Sequence, residues 1–341
     1  MAGRNPQLDG IRALAIGLVI VAHAFHTNHP IWGAAREAIG EEGVGIFFVL
    51  SGYLITTLLL QERERTGSVN IAQFWIRRAR RIFPAFYVYL AVIALIAAAQ
   101  GKLGLIGPDI LRAGLYLRDY QIQTFSWLEH TWSLAVETQF YLIWPAVFLL
   151  FGNRAARFAA IACIAIEPLV RIVNYFAFAS SRDLMSIAFH TRADALMFGA
   201  AAALLTAHGI PAWLHHIARS PATPALCLLL ITACIAATGV FHGAFQFSIG
   251  MTLEGIASAV LLLAVVDNGA SIPARLLASS PATWLGRISY SLYLWQQPFL
   301  FNHSAVGWFP LNVLLALAAA CLSYYVVERA FFKPKPVLVT T

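Results

Sequence analysis

The chain has 341 residues, 60% of them hydrophobic and 11% charged, with a net charge of +7 and a mean hydropathy of +0.71. Soluble domains carry about 25% charged residues, so this composition excludes a soluble globular protein and leaves an integral membrane protein with little chain to spare. The positive charge does not mark a nucleic-acid binder, because the basic residues sit between apolar segments, where they report topology.

A membrane-crossing helix needs about 20 mostly apolar residues. Ten ranges qualify: roughly 11–29, 43–61, 82–100, 133–151, 156–178, 191–208, 224–241, 245–266, 284–301 and 308–330. The fold expected is therefore an all-α polytopic bundle of about ten spans. The first run, "IRALAIGLVIVAHAF", lacks a small-residue cleavage site and holds His23, so it reads as a retained helix. With the N-terminus inside, sixteen Lys and Arg residues fall on the cytoplasmic side and six outside, with Arg171 inside a span. That bias puts both termini in the cytoplasm. The longest connection, roughly 101–132, lies outside and contains "GPDILRAGLYLRDY", which reads as a short surface helix. The domain expected is residues 1–332, followed by a short cytoplasmic tail, 333–341. Cys163, Cys227, Cys234 and Cys321 lie in apolar runs without CxxC spacing and read as small buried hydrophobes, with no disulfide frame and no metal site.

Ionisable groups inside spans usually face a bundle interior or a wet cavity. Arg12 and His23 are eleven residues apart, about three helical turns, so they share a face and lie roughly 16 Å apart along the axis. His23 is either a hydrogen-bonded packing residue or a catalytic one. "EHTWSLAVETQFYLIWP" places Glu137 in the outer half of its span, at a depth like that of His23. The two would suit a pair in which the carboxylate orients the imidazole, or a structural bridge between helices. In "GVGIFFVLSGYLIT", Gly43, Gly45 and Gly52 let helices approach closely, while Ser51 and Tyr53 can face a polar cavity.

"FWIRRARRIFP" sets Arg77, Arg78, Arg80 and Arg81 just before the third span. They are topology or lipid anchors, or a site for a phosphorylated donor, since guanidinium forks bind phosphates bidentately. Arg192 and Asp194 open the sixth span, where they pair with each other or bind a polar acceptor. "LGRISYSLYLWQQPF" mixes Tyr290, Tyr293, Trp295 and Gln296 into an apolar helix, as a cavity lining or a packing face.

Six of these stretches in order, "LDGIRALAIGLVIVAHA", "FFVLSGYLIT", "RRARRIFP", "WSLAVETQFYLIWP", "TRADALMFG" and "LGRISYSLYLWQQP", together resemble the acyltransferase-3 family of integral membrane O-acyltransferases, over nearly the whole chain. The family's Arg, ten residues, His pattern falls on Arg12 and His23, and its Trp-Ser-Leu motif ending in Glu falls on Trp132, Ser133, Leu134 and Glu137. The resemblance implies an O-acyltransferase without bound cofactor. It would move an acyl group, commonly acetyl, from cytosolic acyl-CoA to a hydroxyl of a glycan or small-molecule acceptor across a bacterial inner membrane. It also implies His23 as the essential histidine, acting as general base or acyl carrier, and a donor site at the arginines before the third span with Arg12. One departure stands out: the last motif commonly reads "LWH.P", and here Gln296 replaces the histidine. Many relatives carry an additional soluble esterase-like domain, and a second transfer step here would fall to a separate protein. The residues alone leave two other classes open, a transporter or flippase whose intramembrane polar groups mark a permeation path, and a non-catalytic scaffold.

Overall fold

Local capping sets where the helices begin and end. Helix α1 (Pro6–Ala24) starts at Asn5, whose side chain accepts from the Gln7 amide at 3.0 Å, with Pro6 in the first turn. Helix α2 (Pro30–Thr66) runs for 37 residues, roughly 55 Å at 1.5 Å per residue, and stops at Gly67, whose φ of 78° only glycine adopts cheaply. Helix α3 (Ile71–Ala99) is capped by Asn70, which accepts from the Gln73 amide at 2.9 Å.

The computed structural model describes residues 5–25, 29–122, 124–268, 271–300 and 308–331, and has no strand among them. The tail expected at 333–341 lies outside these residues. After α3 come α4 (Leu103–Gly114), α5 (Thr131–Ala177), α6 (Phe189–His208), α7 (Ala212–Arg219) and α8 (Thr223–Phe241). The short α9 (Gly243–Phe245) leads through a π-helical turn into α10 (Met251–Asp267). Then follow α11 (Ile272–Leu277), α12 (Ser280–Trp295), α13 (Gln297–Leu300) and α14 (Leu311–Leu322), which a second π-helical turn joins to α15 (Arg329–Phe331).

All ten apolar ranges fall on helices as far as they are described. Among the described residues, six helices are long and apolar enough to cross a membrane, and α6 with α7, bent by 109°, adds a seventh if the pair is counted as one broken span. The fourth and fifth ranges are one continuous element, α5, broken at Gly152, whose φ of 76° and ψ of −177° turn the chain. The surface helix read at 107–120 is α4, starting four residues earlier, followed by a 3₁₀ turn at Arg118–Tyr120. The four cysteines stand as free thiols.

Small residues set the crossings that position the site. An added Cβ on Gly52 would lie 1.8 Å from the Leu196 carbonyl oxygen, and one on Gly199 would lie 1.8 Å from the Val49 oxygen, so α2 and α6 touch backbone to backbone. Gly286 does the same for α12 against the Asp9 oxygen of α1, and an added Cβ on Gly43 would lie 2.7 Å from the Ala15 oxygen. Gly52→Ala therefore has no flexible side chain to displace. It should cost about 1–3 kcal/mol through overpacking, read as a lower thermal midpoint in detergent; an unchanged midpoint would show that α2 and α6 can separate freely. Leucine and phenylalanine side chains such as Leu95, Leu150 and Phe158 remain exposed on the outer faces of the helices, the surface a lipid environment covers.

Candidate active site

An elongated cavity of about 790 Å³ runs between α1, α2, α3, α5, α12 and the last helical turns. Its lining follows α2 from Val44 to Leu58 and Gln61, roughly 26 Å at 1.5 Å per residue. Helices α1 and α2 are antiparallel, since Gly43 faces Ala15 and Gly40 faces Ala22. The Gln61 end is thus the end near the start of α1.

That end is cationic. Arg12, Arg78, Arg81, Arg287 and Arg329 all line it, with Asp9 and Glu328 between them. Arg12 donates to Asp9 at 3.1 Å. The Arg78 guanidinium stacks over the Phe74 and Tyr141 rings at 5.6 and 5.8 Å. The Glu328 carboxylate accepts from the Ser291 hydroxyl, itself bonded to Ser323.

The middle of the cavity holds Ser51, Glu137 and Tyr141. Tyr141 lies one turn beyond Glu137 on α5 and donates to its carboxylate at 2.5 Å; Ser51 reaches across from α2 to the same oxygen. At the far end, Ser133 and Tyr293 meet at 2.6 Å, and the Tyr293 hydroxyl also donates to the His130 carbonyl at 3.0 Å. Phe47 and Phe48 line the wall beside them.

The predicted residues divide accordingly. Arg12, Arg78, Arg81, Ser51, Tyr53, Ser133, Glu137 and Tyr293 share the cavity. Arg77 turns away, paired with Glu62 at 2.7 Å, and Arg80 is exposed outside the lining. His23 lies beyond the far end, at the level of Gly40, with His130 as an electrostatic neighbour, while the hydrogen bonds of Glu137 run to Ser51 and Tyr141. Trp132, Trp295 and Gln296 are outside the lining. Trp132 packs edge-on against Phe48 at 6.0 Å.

Arg192 and Asp194 do not pair with each other. Positions i and i+2 on a helix point in different directions, so Asp194 takes Arg171 at 2.7 Å and Arg192 reaches toward Glu41 at 3.4 Å. Both border a separate, much smaller pocket with Glu42 and Glu254. Several polar cavity residues were not singled out in the sequence, among them Asp9, Tyr141, Arg287, Glu328 and Arg329. Tyr141 carried a signal, its i+4 spacing from Glu137. Arg287, Arg329 and Glu328 carried none, because their side chains reach the cavity only through the packing of α12 and the C-terminal helices.

A helix bundle with transmembrane-length apolar segments and a deep inter-helical cavity defines an integral membrane protein. Residues 5–327 match the family model of an acyltransferase domain, and the chain belongs to this acyltransferase-3 family. It is 31% identical over 327 residues to the peptidoglycan O-acetyltransferase OatA of Listeria monocytogenes, covering 86% of this chain and 49% of that protein. It is 30% identical over 356 residues to YrhL of Bacillus subtilis, named as a proposed peptidoglycan O-acetyltransferase, covering 95% and 54%. A proposed O-acetyltransferase of Staphylococcus aureus strain COL is 28% identical over 360 residues, covering 96% and 57%. The chain thus spans about half the length of these relatives. No solved structure matches it significantly.

Proposed function

We propose that the protein is a membrane O-acyltransferase that moves an acetyl-type group from cytosolic acyl-CoA to a hydroxyl of a cell-envelope glycan. The observation that carries this is the single cavity joining five arginines to the Ser51, Glu137 and Tyr141 set. Guanidinium groups at one end suit the phosphates of CoA, and a passage of this length lets the thioester reach the polar middle. Membership of the acyltransferase-3 family supports the reaction class, and relatives named as peptidoglycan O-acetyltransferases support a cell-wall glycan as acceptor.

The arrangement in the membrane follows from the charge bias: about ten spans, both termini cytoplasmic, and the arginine-lined end open to the cytosol of a bacterial inner membrane. In the reaction, Arg12, Arg78 and Arg81 hold the donor, assisted by Arg287 and Arg329. His23 removes the acceptor hydroxyl proton as its oxygen attacks the thioester carbon. The carbon–sulfur bond breaks, and the proton ends on the CoA sulfur. Glu137 serves in the donor cavity, where its carboxylate fixes Ser51 and Tyr141 along the path by which the thioester reaches toward His23.

Purified protein incubated with labelled acetyl-CoA and a glycan acceptor should place label on the glycan. Arg78→Ala and Arg81→Ala should each weaken acetyl-CoA affinity by about tenfold, the loss expected of one charge-assisted contact. Unchanged affinity in calorimetry would leave these arginines as topology determinants only.

A further inference from the structure

Several buried polar atoms without a hydrogen-bond partner gather beyond the Ser133–Tyr293 end of the cavity. They are both ring nitrogens of His130, Nε1 of Trp295, both amide atoms of Gln296 and Oε1 of Gln297. His130 is 4% exposed, Gln296 0% and Gln297 1%. An unmet buried polar group costs about 1–3 kcal/mol, and native proteins leave few of them. Their grouping calls for something to bind there.

The groups belong to one place in the fold. Tyr293, Gln296 and Gln297 lie within one turn of each other, on one side of the helical run from α12 into α13. The Tyr293 ring stands 5.3 Å from the His130 ring, Tyr89 stands 5.7 Å from it, and Trp295 packs edge-on to Tyr89 at 5.2 Å. Helix α13 packs on α1 and on the 3₁₀ turn Ser126–Leu128 that precedes His130. His23, at the end of α1, is an electrostatic neighbour of His130.

The chemistry of the group is specific. Burial, then the neighbouring His23, pushes the His130 imidazole down to about 3, so it is neutral, with one ring nitrogen donating and the other accepting. The carboxamides of Gln296 and Gln297 both donate and accept. The indole N–H donates. Tyr89, Tyr293 and Trp295 supply aromatic surface. Uncharged groups that alternate donor and acceptor beside aromatic faces suit a hydroxyl-rich ring.

From this geometry we infer that the cluster of unpartnered polar groups on His130, Trp295, Gln296 and Gln297 marks the acceptor site, taking an uncharged sugar residue and presenting its hydroxyl toward His23. The inference rests on the acyltransferase reading, and it assigns the sugar a place separate from the donor. The Gln296 amide, standing where the family motif commonly has histidine, is here a sugar contact.

The test is calorimetry on the full chain in detergent, with the uncharged trimer of N-acetylglucosamine as probe and no acetyl-CoA present. The wild-type protein should bind the trimer, and Gln296→Ala and Gln297→Ala should each weaken it by about tenfold, one hydrogen bond's worth. Acetyl-CoA affinity of the same variants, read separately, should stay within about twofold, which also shows that they fold. If either variant is unstable, Gln296→Met keeps the bulk and should show the same selective loss. Trimer affinity unchanged in all variants, or no trimer binding by wild type, overturns the inference and leaves a buried-water site only. Wild type that binds the trimer but neither binds nor consumes acetyl-CoA would defeat the acyltransferase reading instead.

Discussion

His23→Ala should lower acetyl transfer by about 10²–10⁴-fold, the usual worth of a general base, while acetyl-CoA affinity and membrane insertion stay as in the wild type. The separation follows from geometry. His23 stands beyond the Ser133–Tyr293 end of the cavity, next to His130, and is absent from the lining that holds the arginines. On the proposed reading, losing the imidazole removes the group nearest the acceptor and leaves the arginine-lined cavity intact. Labelled acetyl transfer and calorimetry, run on the same preparation, check both halves. Near-normal transfer would remove His23 from the chemistry. Equal loss of donor binding would make it a structural residue.

The second large effect is on stability. Arg171 is fully buried and donates to Asp194 at 2.7 Å, to the Thr191 carbonyl at 3.1 Å and to Thr252 at 2.7 Å, tying α5, α6 and α10 together. Asp194→Ala leaves that guanidinium without its carboxylate. Breaking a buried pair from one side costs about 3–5 kcal/mol, whereas replacing both partners with apolar residues is often neutral. Asp194→Ala should therefore lower the thermal midpoint strongly, and the double variant Arg171→Met with Asp194→Leu should recover most of it. A double variant as unstable as the single one would mean that the hydrogen bonds to Thr191 and Thr252 outweigh the ion pair.

Both results touch on what could be read in advance. Hydropathy placed the helices well, because apolar length is a property of the local chain. Arg171 stood out in its apolar run, but its partner depends on how α5 crosses α6, which no spacing along the chain reveals. Glu137 shows the same division. Its bond to Tyr141 is an i+4 contact visible in the sequence, while its bond to Ser51 spans two helices. The orienting pair suggested for His23 and Glu137 rested on equal depth. In the fold the two depths differ: Glu137 meets Ser51, while His23 stands at the level of Gly40, roughly 16 Å away along α2 at 1.5 Å per residue, because the height of one helix against another is set by packing between helices and not by the local chain.

The hydrogen bond between Ser133 and Tyr293, where the cavity lining ends, has an electrical consequence. A protein that lets one molecule react with another across a membrane must avoid becoming a leak. Moving one elementary charge across 100 mV is worth about 2.3 kcal/mol, so an unbroken water column from the arginines to the opposite face would discharge the cell. On the proposed reading the 2.6 Å contact, flanked by Phe47 and Phe48, would work as an insulator in series with the reaction path. Group transfer and ion tightness would then be properties of the same few side chains.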